Sequence, residues 1–401
     1  MIELKEGISK LLCKDNTHSY DILTYADLKI EFTDQTLREF LQKIVDKSPI
    51  LKQHIIDKGN SFFLDDVETF DLSEHYKIIN DIYENFDSYA DTIINAEFTT
   101  KSKWLIYYII DAEKKKYRLY FKIDHSYADG NRVIEMLMTP LKESDSSRIF
   151  KYKLAQLGIL DTLYYLIIAT ITLFINFMGV LIEALWFRPP VIGPVKTDHI
   201  KCKPFKLSEI KRFAKCNGIS VTAVLYSLMV KTDSLYKNTT DDRRDIIVSS
   251  PINLSKSLYL NNMAAVTNRI SINLTNKELL EASNLLFNSY KHSLCKNICS
   301  FISSHLLTML PLNLCSNVYN SLVYRCDYVF SNMVGPIHED LEDIHFFIRA
   351  KGKEIIFNII SSNDNINVIC SFKEGQIKDK ARYEDCIYRA YNSLLRNNFS
   401  I

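Results

Sequence analysis

Residues 117–140, YRLYFKIDHSYADGNRVIEMLMTP, decide how this chain is read. Tyr117 to Ile123 is rich in aromatic and β-branched residues, the composition of a strand. A similar run, Lys103 to Ile110, precedes it, and the polar stretch DAEKKK between them turns the chain into a pair of strands. From Asn131 the apolar residues recur at helical spacing until Pro140 ends the pattern. The segment DHSYADG, residues 124–130, therefore stands where a strand ends and a helix begins. A short loop there can present side chains to a cleft.

That loop has the pattern His125-x-x-x-Asp129-Gly130. An imidazole with a free ring nitrogen can take the proton of an alcohol as the alcohol attacks a thioester. The Asp129 carboxylate can hold the turn that aims the imidazole, best through a buried basic partner rather than by touching the ring. Gly130 permits a backbone conformation that a side chain would hinder. Six residues alone also fit a structural histidine closing a strand, so the rest of the chain has to decide.

Outward from this loop, helices are expected over 207–217 and 219–233, parted near Gly218, and over much of 279–310. Strands are expected over 246–252, 264–274, 327–334, 344–348, 354–361 and 365–372, with a last helix over 380–395. Helices and strands mix in both halves without the regular alternation of a doubly wound sheet, so the class is α/β with mixed (α+β) sheets. There is no internal repeat, phosphate-binding glycine loop or dinucleotide fingerprint.

The 401 residues are 47% hydrophobic and carry a formal net charge of +1. That is a globular composition with no general field for nucleic acid. Nine cysteines without regular spacing point to free thiols in a reducing compartment. His292, Cys295, Cys299 and His305 lack a close Cys-x-x-Cys knuckle and lie in an apolar-faced helical pattern, so no metal is expected there. Sequons at Asn238, Asn253 and Asn273 carry little weight without a secretory signal, and MIELKEGISKLLCKD does not read as one.

Between Asp161 and Glu183 lie 21 residues without a formal charge. By length the run is a membrane-helix candidate, with Tyr164, Tyr165, Trp186 and Phe187 near its ends as interface anchors. Asn176 and Glu183 keep open the other reading, a buried helix connecting two halves of a soluble protein. Basic residues flank it on both sides and do not orient it.

Several stretches in order along the chain resemble the wax ester synthase/diacylglycerol acyltransferase family, within the His-x-x-x-Asp acyltransferase superfamily. FLDDVETFDLSEHYKII resembles the family's segment ending in "fDl..H", and NAEFTTKSKWLIYYII its "PLDxxxPLW", with Trp104 at the tryptophan. NGISVTAVLYSLM resembles the helix starting near "NDV", with Thr222 and Ala223 in the Asn-Asp positions. SSPINLSKSLYLNNMAAVTNRISINL is similar to the stretch from "PVSLR" to "GNR", giving Asn268. YVFSNMVGPIHEDL is similar to "TNVPGP", giving Ser331, Asn332, Gly335 and Pro336. The family's first histidine is Asp124 here, and the first two residues of "PLD" are missing. Plant-type alcohol acyltransferases end in an Asp-Phe-Gly-Trp-Gly element, which does not occur.

The resemblance implies two chloramphenicol-acetyltransferase-like halves with an active-site tunnel between them. Residues 1–145 would form the N-terminal half, 146–200 a crossover bearing the apolar segment 163–187, and 201–401 the C-terminal half. It implies an O-acyltransferase with His125 as general base supported by Asp129 and Gly130. Trp104, Asn268, Asn332, Gly335 and Pro336 would bind substrate. Acyl-CoA would be co-substrate, with no permanently bound cofactor and no metal, and the acceptor a long-chain alcohol or diacylglycerol. No oligomeric state is implied. A single bilayer crossing by 163–187 would put the halves on opposite sides, so re-entry or surface attachment is expected. The expected place is the cytosolic face of a membrane, the endoplasmic reticulum or a lipid droplet. A non-catalytic lipid-binding or scaffolding homologue, and a soluble enzyme for small polar acceptors, are the alternatives.

Overall fold

The computed structural model describes residues 2–3, 20–59, 61–141, 167, 195–237, 245–253, 263–292, 325–350 and 352–396. The apolar segment 163–187, apart from Ile167, lies outside the described residues, as do Cys295, Cys299, His305 and the side chain of His292.

Before residue 142 the elements are β1 (Ile2–Glu3), β2 (Asp21–Leu28), α1 (Asp34–Lys47), β3 (Gln53–Asp57), β4 (Phe62–Asp66), β5 (Tyr76–Asn80), α2 (Ser88–Asn95), β6 (Trp104–Asp111), β7 (Lys116–Asp124) and α3 (Gly130–Met138). The β6–β7 hairpin is the pair read from the sequence. Lys115 takes positive φ in its turn, and Asp111 Oδ1 accepts the Lys114 N–H at 2.9 Å. Helix α1 starts on a reciprocal Thr33–Thr36 cap and buries Leu37, Phe40, Leu41, Ile44 and Val45, the stripe that its 3.6-residue period brings to one face.

After residue 194 come β8 (Thr197–Lys201), β9 (Phe205–Lys206), α4 (Leu207–Cys216), α5 (Val221–Lys237), β10 (Asp245–Asn253), β11 (Met263–Ser271), α6 (Asn276–His292), β12 (Tyr328–Val334), β13 (Leu341–Ile348), β14 (Ile355–Ser362), β15 (Asn365–Lys373) and α7 (Lys380–Arg396). The helix expected over 279–310 is described as α6, and its later part lies outside the described residues. Helices α4 and α5 meet at 104° and together have the length and hydropathy of a broken span. Residues Ala223 to Val230 of α5 are all buried in the protein core, which accounts for that hydropathy without a bilayer. Among the described residues no single helix is long and apolar enough to cross a membrane.

The strands form a five-stranded sheet in the order β13-β2-β7-β6-β5 and a seven-stranded one in the order β11-β10-β12-β14-β15-β8, with β9 also on β15. A small three-stranded sheet, β1-β4-β3, completes the set. Both large sheets mix parallel and antiparallel pairs, as the α/β (mixed) class requires. Strand β13 comes from the C-terminal part of the chain yet pairs with β2 along seven residues of the N-terminal sheet.

Strand β7 has two buried faces. Leu119, Phe121 and Ile123 join the core under α1 and α3. Tyr120 packs with Leu23, Tyr25, Ile109, Phe347, residues of α2, and Ile369 of the other sheet. Side chains of β15 stitch the sheets together: Asn367 Nδ2 donates to Ile344 O at 2.8 Å and Ser371 Oγ to Ile348 O at 2.7 Å. Asn95, ending α2, exchanges two 2.8 Å hydrogen bonds with the backbone of Thr197 in β8.

Candidate active site

His125 follows the last residue of β7 and is 5% exposed. Its backbone N–H donates to Tyr20 O at 2.8 Å, just ahead of β2, while the Asp124 N–H donates to Lys103 O at 3.0 Å. The residue is thus fixed by main-chain bonds to both flanking strands. Asp124 turns its carboxylate away along the chain. Its Oδ1 accepts from the Ser126 N–H at 2.9 Å and Ser126 Oγ at 2.6 Å, and its Oδ2 faces Lys103 Nζ at 3.5 Å. A carboxylate satisfied within its own turn stabilises the loop, which is the local role that Asp side chains commonly play.

Asp129 is the N-cap of α3, its Oδ1 accepting the Arg132 N–H at 2.9 Å. Through that bond it holds the turn at the open end of the helix. The expected reason for Gly130 needs correction. Gly130 is the first residue of α3, and the positive-φ glycines among the described residues are Gly59, Gly218 and Gly375. What Gly130 provides is room: a methyl group on it would lie 2.8 Å from Met333 Sδ and 3.0 Å from Met333 Cε. Met333 belongs to β12, inside SNMVGP. The two motifs that the sequence placed two hundred residues apart therefore touch.

The other residues read from the sequence take different places. Asn332, exposed, donates from Nδ2 to Thr222 Oγ1 at 3.3 Å, joining the "TNVPGP" and "NDV" positions across β12 and the start of α5. Gly335 donates its N–H to Ser361 O at 2.6 Å, and a Cβ there would fall 2.5 Å from that same oxygen. Only glycine lets β12 end so close to β14. Pro336 O accepts from Ser362 Oγ at 2.9 Å. Trp104 is 1% exposed, stacks on His75 with ring centroids 4.2 Å apart, and donates Nε1–H to Leu51 O at 2.8 Å. Its strand pairs it with Ile123, two residues before His125, so it anchors the strand beside the site from within the core. Asn268 sits on β11, which β10 separates from β12.

A buried charged group beside the loop was not read from the sequence. Lys122 Nζ lies 3.0 Å from Asp21 Oδ2, with both side chains fully buried, and Arg349 Nη1 approaches the same oxygen at 3.4 Å. Lys122 also donates to Ala96 O and lies 4.5 Å over the ring of Phe98. Burial pushes the Lys122 ammonium below its ordinary value against the pull of Asp21, and Arg349 adds to the lowering. No local signal marked it, since Lys122 lies on an alternating face of β7 with Lys116, Arg118 and Asp124. Its partners, Asp21 and Arg349, are too distant in sequence for any local pattern to supply.

Among the described residues, Asp91, Asp198 and His199 bring ligand-type atoms together. His199 Nδ1 is 2.7 Å from Asp91 Oδ1, and Asp198 is paired with Lys380 Nζ at 2.6 Å. These pairings account for the cluster.

Residues 261–395 match the family model described as the WS/DGAT C-terminal domain. Among solved structures, the wax ester synthase/diacylglycerol acyltransferase of Marinobacter aquaeolei is similar, with a TM-score of 0.61 at 13% identity over 97% of this chain and 98% of that one. The trichothecene 15-O-acetyltransferase of Fusarium sporotrichioides has a TM-score of 0.63 at 13% identity, over 98% of this chain and 94% of that one. The starter condensation domain of a rhizomide synthetase, solved in complex with C8-CoA, has a TM-score of 0.62 at 10% identity over 99% and 95%. No curated protein matches the chain by sequence. The resemblance read from the motifs is borne out by the family model and by the fold, which is that of two-domain chloramphenicol-acetyltransferase-like acyltransferases.

Proposed function

We propose that this chain, which carries the WS/DGAT C-terminal domain on an acyltransferase fold, transfers a fatty acyl group from acyl-CoA to a lipid hydroxyl with His125 as general base. The observation that carries the reading is the meeting of His125-x-x-x-Asp129-Gly130 with SNMVGP at Gly130 and Met333. The motif of one sheet is thereby applied to the strand end of the other, where a shared cleft would run. Supporting it, a structure of similar fold was solved with C8-CoA.

In this reading the His125 imidazole takes the acceptor hydroxyl proton as the oxygen attacks the thioester carbonyl. The C–S bond breaks, the proton passes to the departing thiolate, and ester and free CoA result. Neither a covalent acyl-enzyme nor a metal is part of the scheme. A long-chain alcohol or diacylglycerol is the proposed acceptor, presented at the cytosolic surface of the endoplasmic reticulum or a lipid droplet. The apolar run 163–187 supports that setting as an attachment that leaves both halves on one side.

The test is thiol release from palmitoyl-CoA in the presence of hexadecanol or dioleoylglycerol, assayed on the full chain with vesicles. The wild type releases CoA only with an acceptor. His125→Ala lowers the rate by at least about a hundredfold with an unchanged melting temperature, in keeping with the contribution of a general base. Retained activity in that variant overturns the assignment.

A further inference from the structure

We propose that Met333 is a positioning residue for His125. The inference rests on His125 as general base and adds how that residue is kept in place. Met333 is 8% exposed on β12, between the exposed residues Asn332 and Val334. It belongs to the hydrophobic core of the opposite sheet, together with Ile360 of β14. Its sulfur and terminal methyl occupy the space over Gly130, and Phe346 of β13 lies 3.9 Å from the same point.

The first turn of α3 is therefore seated on a side chain supplied by the other sheet. Asp129 caps that turn, Tyr127 N–H bonds to Asp124 O at 3.0 Å, and His125 is held between them by the Tyr20 carbonyl. A shift at Gly130 passes through a loop with little slack to the imidazole. A thioether suits this place because it is unbranched and polarisable, and it fills an irregular gap without a fixed shape. The same softness gives Gly130→Ala a graded effect: the added methyl pushes Met333 and α3 apart and leaves the fold intact.

Wild type, Gly130→Ala, Met333→Ala and the double variant are each read in two ways, with Met333→Leu as the conservative control. In the palmitoyl-CoA and hexadecanol assay, Gly130→Ala lowers kcat about tenfold or more with KM for palmitoyl-CoA within twofold. Met333→Ala alone removes the seat and lowers kcat about threefold or more. The double variant recovers at least about fivefold of the Gly130→Ala loss, because the added methyl then takes the space of the thioether and seats α3 in its place. Met333→Leu stays within about threefold of wild type. Independently of turnover, the His125 ring proton resonance, assigned by its loss in His125→Ala, moves in Gly130→Ala and returns in the double variant. An unmoved resonance, or a double variant no better than Gly130→Ala, overturns the role of Met333. If instead the resonances behave as stated while His125→Ala keeps full activity, the general-base reading falls and the contact stands.

Discussion

The two ends of strand β7 treat a buried cation in opposite ways. Arg118 and Lys122 are four residues apart and so point to the same face. At the Arg118 end, two cations meet two carboxylates: the guanidinium reaches Asp27 at 2.5 Å and Asp87 at 2.5 Å, Lys201 reaches Asp87 at 2.8 Å, and the guanidinium lies over Tyr25, Phe86 and Tyr120. Burial works against that charge, but Asp27 outweighs it and raises the pKa. At the Lys122 end, two cations share one carboxylate, Asp21, and the lysine is pushed down. The end where charges balance is an anchor far along the strand from the loop. The cation-rich end adjoins His125. The difference separates charge kept for holding the sheet from charge kept beside the proposed general base, in the kind of place where perturbed titration concentrates.

The same substitution made at both ends would sharpen the contrast. Arg118→Met leaves the part-buried Asp27 without its Arg118 partner and should destabilise the chain by about 3 kcal/mol in urea unfolding, the low end of the scale for breaking a buried pair. Lys122→Met removes the surplus cation and leaves Asp21 with Arg349, so the cost should stay near about 1 kcal/mol or below. Equal costs at the two positions would break the comparison. The smallest expected effect is in pH dependence. Burial, then Lys201 and Arg118, hold His345 well below the usual histidine value, with its ring stacked on Tyr25 at 4.7 Å. The folded chain keeps it neutral where the unfolded chain takes up a proton below about pH 6.5. Stability therefore falls as pH drops through that value, and His75, also lowered chiefly by burial, acts in the same direction. His345→Phe keeps the stacking and should flatten the change in urea midpoint between pH 7.5 and 5.5. Asp87 enters only at stronger acid. Burial would raise it, but Lys201 and Arg118 hold it at about 2, so its stabilisation is lost as pH falls from the usual carboxylate value toward that point.

Strand β7 also marks how far sequence reading reaches. Its length and its hairpin with β6 follow from β-branched and aromatic content together with a polar turn, all of them local. Its alternation Lys116, Arg118, Tyr120, Lys122, Asp124 would ordinarily place one face in water. That face is covered by α2 and by β15 of the second sheet, a tertiary fact with no local trace. The motifs His125 to Gly130 and Ser331 to Pro336 were legible through their resemblance to a family's motifs, in order along the chain. That they meet through Met333 was not, since methionine reads as generic core. The reason read for Gly130, backbone freedom, was the wrong one. A glycine needed for space and one needed for backbone freedom look the same in a sequence.

The placement of β13 has a consequence for how the chain is made. Strand β2 lies between β7 and β13, and β13 ends at Ile348, more than three hundred residues after β2 begins. Until the ribosome has delivered that strand, β2 is an open edge, with unpaired peptide groups and the apolar side chains Ile22, Leu23 and Tyr25 accessible to other chains. Synthesis of the intervening stretch takes on the order of tens of seconds at ordinary elongation rates. The N-terminal sheet is thus a nascent-chain hazard until β13 has emerged to cover that edge.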